Sequence, residues 1–470
     1  MDTSVADQDG DASDSSSARL GFDIVDIVPD GDLILDVTFE TSKETLRAAK
    51  KATRPRPGQQ VNQPVLKPRV RLGFRVQLAV LKQDSRYFSN LLSDTRFAEA
   101  KSIEAALERL SLQGVKPGEA EPKDLPLVKI HEDDEASQSA GQETIFQDLL
   151  RILHGKEPAT KPVTMHYLAT LAILSDRFDC TDPVTKWHNF NLRYKWPLTQ
   201  TRLPREDGGP AITKAAEETL RQKILVAWLL KIPPRMQTAT RELVVYGSRK
   251  WSAFLDEAET GTAAWWDLPD GLEGELQHRR DCVLNTIASV QRHFLQKYTS
   301  RDRQCTRGYD SSASCDSYQL GEMVKFLASR GLLFLADFSP SRSVDAAQDA
   351  FATVDISHII AVLKECPSYQ IDKNHTNCGL RTRVLPIFDY IKAMLHTQAV
   401  ALNSINWAKD REMSSWLAAA EAAPDEQPKV FRFTRSIATD QRLRYEGAMA
   451  ADRFARSLFT ADEWNWTPED

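Results

Sequence analysis

The sequence has few cysteines and no long run of apolar residues. Its 470 residues include six cysteines, too few for a fold that depends on disulfides. The most apolar stretch, Ile224–Ile232, is far shorter than the roughly 18–20 residues of a membrane-spanning helix. Residues 1–21 are acidic and lack the apolar segment of a secretory signal. We therefore expect an intracellular protein with reduced thiols and no contact with a membrane.

Sequence signatures of catalysis are also missing. The chain has no Gly-x-x-x-x-Gly-Lys-Ser/Thr phosphate loop, no Gly-x-Gly-x-x-Gly dinucleotide loop and no Gly-x-Ser-x-Gly nucleophile turn. The segment His131–Glu135 lacks the second histidine of a metalloprotease helix. No repeat of fixed period is present, which disfavours a solenoid or a propeller. We expect a protein without enzymatic activity.

The overall charge gives no indication of a nucleic-acid partner. Lys and Arg number 60 against 66 Asp and Glu, a net charge of −6. The segment Lys43–Arg71 is the exception, because it is strongly basic and contains several prolines. We expect it to be a solvated insertion that does not pack. The alternative is a nuclear regulator that uses this arm for non-specific contacts with nucleic-acid phosphates.

The N-terminal part has the pattern of an α+β domain. Residues 1–21, rich in Asp, Ser and Gly, are expected to be a disordered acidic arm. Residues 22–195 predict strand, strand, helix pair, strand, and then three or four helices. Within this domain we expect polar insertions near 41–71 and 101–124.

The rest of the chain has mostly helical spacing. Residues 211–460 contain several amphipathic segments separated by polar loops, so a mostly α-helical C-terminal region is predicted. Residues 461–470 form an acidic aromatic tail with Trp464 and Trp466. This tail either anchors onto the helical region or docks onto another protein.

Three segments of residues 22–195 resemble the BTB/POZ fold. They are Asp36-Val37 at the end of a strand, the Val-Leu-x-x-x-Ser-x-Tyr-Phe motif at Val80–Phe88, and the leucine-rich segment Phe146–Gly155. Where the family has a histidine and a basic residue, this chain has Gln77-Leu78. Segments 315–321 and 367–381 resemble those of large fungal BTB-domain proteins that have no established activity.

This resemblance implies a non-enzymatic protein–protein interaction module. Members of the family act as scaffolds or adaptors through self-association or by joining a cullin-type ubiquitin ligase. The expected partners are therefore other proteins, including a second copy of this chain. The resemblance places the interaction surface at Leu78, Leu81, Tyr87, Phe88, Leu91 and Leu92.

Four residues in two polar loops have the chemistry of a metal site. Cys305, Cys315, His375 and Cys378 offer three thiolates and one imidazole, the donor set of a closed structural zinc site. The loops have little apolar content, so a metal ion can stabilise them where a core cannot. The alternative is a group of buried free thiols with a surface histidine. Cys180 and Cys282 are interpreted as packed thiols.

Overall fold

The computed structural model describes most of the chain in two compact units. The described residues are 21–52, 66–199, 213–247, 263–338, 355–376, 378–422, 427–440 and 449–467. The first unit contains Met1–Trp196 with Thr260–Ala264, and the second contains Pro197–Glu259 with Trp265–Asp470. The acidic arm predicted for residues 1–21 lies outside the described residues except for Gly21.

The first unit is mixed α/β. Its described elements are β1 (Asp23–Asp26), β2 (Leu33–Glu40), α1 (Lys43–Ala52), β3 (Arg69–Val76), α2 (Leu78–Asp84), α3 (Arg86–Ser93), α4 (Ala98–Leu112), β4 (Leu127–Asp133), α5 (Gln142–Leu153), α6 (Met165–Arg177) and α7 (Thr181–Phe190). The mixed α/β character expected for residues 22–195 is confirmed. The observed order differs from the expected one by including α1 and α4, which lie in the segments predicted as polar insertions.

The four strands form one sheet in the order β1-β3-β2-β4. Strand β2 is antiparallel to β3, with Leu35 opposite Phe74, and β4 returns parallel to β2. Every residue of β2 except its last is buried, as is typical of a strand covered on both faces. The aromatic rings of Phe39, Phe74 and Phe146 lie 5.5–6.4 Å apart and join the sheet to α5.

The helical pattern of residues 80–92 divides into two helices at Ser85. The Ser85 side chain accepts a hydrogen bond from the Phe88 N–H as the N-cap of α3. Its hydroxyl donates to the Phe178 carbonyl at 2.6 Å. A serine with an extended backbone caps a helix more readily than it continues one, which explains the break.

The prediction that the basic segment Lys43–Arg71 does not pack is wrong at both of its ends. Helix α1 buries Leu46, while its lysines lie on the exposed face. Arg71 belongs to β3 and binds the buried Asp36 through two hydrogen bonds of 2.7 Å. Counting charges concealed this amphipathic pattern, because solvated lysines and a packed leucine occur together on one helix. Residues 53–65 lie outside the described residues.

The predicted insertion at 101–124 is also partly packed. Helix α4 covers its first half and buries Ile103, Ala106 and Leu110 along one face. Leu110 belongs to a small core cluster with Ile34 of β2. Helix α4 therefore contributes to the core of the first unit.

The second unit is almost entirely helical. Its described elements are α8 (Lys214–Leu229), α9 (Pro233–Tyr246), α10 (Leu272–Thr299), α11 (Ser312–Ser329), α12 (Ile356–Lys364), α13 (Leu380–Leu395), α14 (Ser404–Lys409), α15 (Arg411–Ser414), α16 (Trp416–Glu421), β5 (Val430–Arg432), α17 (Arg435–Thr439), α18 (Met449–Phe459) and β6 (Glu463–Asn465). The mostly helical C-terminal region is confirmed.

Helix α10 lies at the centre of the second unit. It contacts α9, α11, α16, α18 and β6, and most of its residues over Val283–Gln291 are buried. Buried charge near its start is paired: the Glu275 carboxylate binds the Arg279 guanidinium at 2.6 Å and accepts a hydrogen bond from the Ser415 hydroxyl. Such pairing is required for ionised groups away from water.

The acidic aromatic tail is anchored onto the second unit. Strand β6 pairs parallel with β5, and the Trp466 side chain is fully buried. Its indole Nε1 donates to Ser289 Oγ on α10 at 2.9 Å, and its ring packs on Phe431 and Phe433. The sequence left two interpretations of residues 461–470, anchoring onto the helical region or docking onto another protein. The described part of the tail is anchored.

Candidate metal centre

Three thiols and one imidazole meet in the second unit. The ligand atoms of Cys305, Cys315, His375 and Cys378 all lie within 4.8 Å of one another. Cys305 Sγ lies 3.4 Å from His375 Nδ1, and Cys315 Sγ lies 3.5 Å from Cys378 Sγ. Donors on a tetrahedral zinc ion with Zn–S bonds of about 2.3 Å are about 3.7 Å apart. The sequence-predicted group therefore converges with spacing that suits one metal ion.

Two loops and one helix end position these donors. Cys305 lies between α10 and α11, Cys315 lies in the first turn of α11, and His375 and Cys378 precede α13. The two loops are joined directly, because the Arg307 guanidinium donates to the Thr376 carbonyl at 2.6 Å.

The His375 ring is held from both of its nitrogens. It is fully buried, with Nδ1 toward Cys305 and Nε2 2.8 Å from Ser311 Oγ. The Tyr309 ring packs edge-on against it at 5.6 Å. Ligating histidines usually engage their second nitrogen in such a hydrogen bond, which fixes the ring orientation. This geometry makes Nδ1 the donor atom and Ser311 its supporting partner.

The three thiols have different affinities for a proton. Burial raises the pKa of Cys315 and of Cys378. Burial also acts to raise the pKa of Cys305, but hydrogen bonds, led by the Arg307 backbone N–H, outweigh it and lower that pKa to about 7. Three thiolates this close repel one another, and a divalent cation offsets that repulsion. The donor set therefore suits a cation that favours thiolate sulfur.

The other cysteines described are packed thiols. Burial raises the pKa of Cys180 to about 12 and that of Cys366 to about 11, so both are protonated at neutral pH. This agrees with the interpretation of Cys180 from the sequence. Protonated thiols of this kind are poor nucleophiles and poor metal ligands.

Cys282 has a partner that the sequence analysis missed. Its Sγ lies 3.4 Å from Nε2 of His278, four residues earlier on α10, and both residues line a cleft of about 980 Å³. The i,i+4 spacing was the signal that could have revealed the pair. Burial raises the pKa of Cys282 to about 12 and lowers that of His278, so both groups are neutral. The pair lacks the thiolate of an activated nucleophile.

Three of the six predicted interaction residues of the first unit are buried in its core, and the other three reach the surface. Leu81, Phe88 and Leu92 are core residues with at most 2% of their surface exposed, so they cannot contact a partner in the folded unit. Their helical spacing marked the buried face of α2 and α3. The side chains that reach the surface are Leu78 and Leu91, which are half-buried, and Tyr87, which is 39% exposed.

Comparisons with known proteins add no relative. The chain matches no family model, no curated protein and no solved structure. The BTB/POZ resemblance of residues 22–195 therefore stays a prediction. Among the described residues, no helix is long and apolar enough to span a bilayer.

Proposed function

We propose that this chain is a non-enzymatic interaction protein whose first unit is a BTB/POZ-like scaffold that self-associates. The order of its elements carries the proposal: the antiparallel pair β2 and β3, the helix pair α2 and α3, β4 returning parallel to β2, and then α5, α6 and α7. The sequence pattern of residues 22–195 predicts the helix pair, a later strand and the helices that follow it, and this agreement supports the proposal.

Polar groups in the core of each unit support a structural role. Asp148 on α5 accepts hydrogen bonds from the Ala159 and Thr160 backbone N–H groups and from the Tyr167 hydroxyl. Glu275 is similarly occupied by Arg279 and by backbone N–H groups of α16. These carboxylates fix loops and helix ends, a role that does not depend on proton transfer to a substrate.

The Cys₃His group is proposed to hold one structural zinc ion. Zinc fits three thiolates and an imidazole, and a closed four-ligand set leaves no position for a substrate. The ion would join the loop before α11 to the loop before α13, which otherwise meet through polar contacts such as that between Arg307 and Thr376. Zinc binding would then contribute directly to the stability of the second unit.

Native mass spectrometry of the full chain, with elemental analysis of the same sample, tests both parts. We expect a homodimer or larger assembly that carries one zinc ion per chain. The variant Tyr87→Asp should weaken the assembly. Phe97→Asp is the control, because Phe97 is similarly exposed, at 43% against 39% for Tyr87, and is not one of the six predicted interaction residues.

Either part can fail separately. A chain that stays monomeric at its highest soluble concentration contradicts self-association. For the metal, Cys378→Ser should lose zinc and Cys366→Ser should keep it, since Cys366 is a buried thiol outside the Cys₃His group. Wild-type chain without zinc, purified in the absence of chelators and after addition of zinc, contradicts the metal site.

A further inference from the structure

The donors of the Cys₃His group differ in their access to solvent. Cys305, Cys315 and His375 are buried, with at most 3% of their surface exposed, whereas Cys378 is half-buried. A small reagent arriving from solvent therefore meets Cys378 first. The sulfur next to it is Cys315 Sγ, at 3.5 Å.

The third thiol is held in a different arrangement. Cys305 Sγ faces His375 Nδ1. Two hydrogen bonds hold the loop of Cys305: the Gln304 N–H donates to Asp316 Oδ2, and the Arg307 guanidinium donates to the Thr376 carbonyl. The group thus consists of a thiol pair with an open side and a buried thiol–imidazole pair.

We propose that Cys315 and Cys378 form a reversible disulfide when a hydroperoxide oxidises the chain, and that this bond releases the metal ion. The release rests on the proposed zinc site. The disulfide itself rests on the placement of the two sulfur atoms.

The chemistry balances with hydrogen peroxide as the oxidant. The Cys378 thiol gives up its proton as its sulfur attacks one peroxide oxygen; the O–O bond breaks, the sulfur becomes a sulfenic acid, and the leaving hydroxide takes the proton to form water. The Cys315 thiol then gives up its proton as its sulfur attacks the Cys378 sulfur; the S–S bond forms, the S–O bond breaks, and the second hydroxide leaves as water. The two sulfurs lose two electrons in total, and the peroxide gains them.

Oxidation removes two of the four metal ligands. Cys305 and His375 alone do not complete a tetrahedral site, so the ion dissociates. The new bond still joins α11 to the segment before α13, where Cys315 and Cys378 lie. The loop that contains Cys305 loses its ligand bond and has no covalent replacement. Peroxide would therefore loosen one loop and leave the other attached.

Peroxide treatment of the zinc-loaded full chain tests this inference. We expect zinc release, measured with a chromogenic chelator, in proportion to a disulfide that peptide mass mapping assigns to Cys315 and Cys378. Dithiothreitol with added zinc should restore the starting state. Cys366→Ser is the control and should release zinc as the wild type does. Cys315→Ser should give no disulfide at Cys378.

Two results would overturn the inference: zinc retained after peroxide has been consumed, or a disulfide that uses Cys305. Peptide mass mapping of the oxidised wild-type chain shows which cysteines form the disulfide, so the test does not depend on the folding of any variant. If the chain binds no zinc at all, the structural-zinc proposal fails first. The disulfide proposal is then tested on the metal-free chain. If no Cys315–Cys378 bond forms there after oxidation, that proposal is refuted.

Discussion

Glu132 places an acidic group inside the first unit. It lies on β4 with its side chain 2% exposed, 3.3 Å from the Arg177 guanidinium. Burial raises its pKa to about 7, and the attraction of Arg177 offsets only part of that effect. The folded chain therefore binds a proton here at pH values where the unfolded chain has released it.

This gives the stability of the first unit a definite pH dependence. The folded pKa of about 7 exceeds the ordinary value of 4.5, so the contribution of Glu132 is complete below pH 4.5 and is lost as the pH rises through 7. The loss amounts to about 3 kcal/mol at most. Glu132→Gln should therefore raise the melting temperature at pH 8 and change it little at pH 5, as measured by calorimetry.

Asp133→Asn is the matched control, because Asp133 also faces Arg177 but is half exposed. We expect that variant to show little difference between the two pH values. An equal shift for Glu132→Gln at pH 5 and pH 8 would show that its carboxyl is not the source of the pH dependence.

For single residues, the sequence predicted the members of the Cys₃His group more successfully than it predicted the residues of the interaction surface. His375 and Cys378 have ligand-pair spacing, and the apolar-poor loops indicated which cysteines belong with them. Ser311 gave no signal, because its hydrogen bond to His375 spans 64 positions. The interaction surface was partly wrong for a physical reason: helical periodicity reports which side chains are buried, and Leu81 and Phe88 are buried in this unit's own core.

At the scale of elements, the pair of strands β5 and β6 closes the core around Trp466. The Trp466 ring lies 5.7 Å from Phe431 and 6.0 Å from Phe433, and its indole N–H bonds to α10. Trp464, on β6, is only half-buried and donates to the Leu458 carbonyl. Two tryptophans two residues apart therefore differ sharply in burial.

Truncating these tryptophans should separate their roles. Trp466→Ala leaves a large cavity and removes the indole donor to Ser289 Oγ, so we expect a loss of about 3–5 kcal/mol in unfolding free energy. Trp464→Ala is the control and should cost clearly less. Urea denaturation followed by circular dichroism measures both. Similar losses for the two variants would contradict the anchoring role of Trp466.

Long helices were predictable, but short elements were not. Helices such as α10 and α13 have enough turns for their apolar period to stand out. Strands β5 and β6 have three residues each, too few to show an alternation. The start of α9 is hard to predict from sequence, because Pro233-Pro234 signals the end of a helix and proline is equally favoured in the first turn of one.

For the whole molecule, the metal site concerns only the second unit. A chelator should therefore act on one of the two units. Hydrogen exchange measured by mass spectrometry should become faster in peptides around Cys305 and His375 when zinc is removed. Exchange in the β2 strand of the first unit should not change, which provides an internal control.

Cys378→Ser should reproduce the effect of the chelator in its absence. The fast-exchanging peptides of that variant should coincide with those of the chelated wild type. Faster exchange throughout both units would indicate that the metal stabilises something other than these two loops.

The hydrogen bond between Trp466 and Ser289 joins positions 177 residues apart, and this has a consequence for biosynthesis. A ribosome adds about 5–20 residues per second, so α10 emerges many seconds before β6 exists. During that interval the face of α10 that Trp466 later covers is exposed to water. The nascent second unit therefore passes through a stage at which chaperones can bind its exposed apolar surface. The first unit differs, because the last strand of its sheet, β4, ends at Asp133.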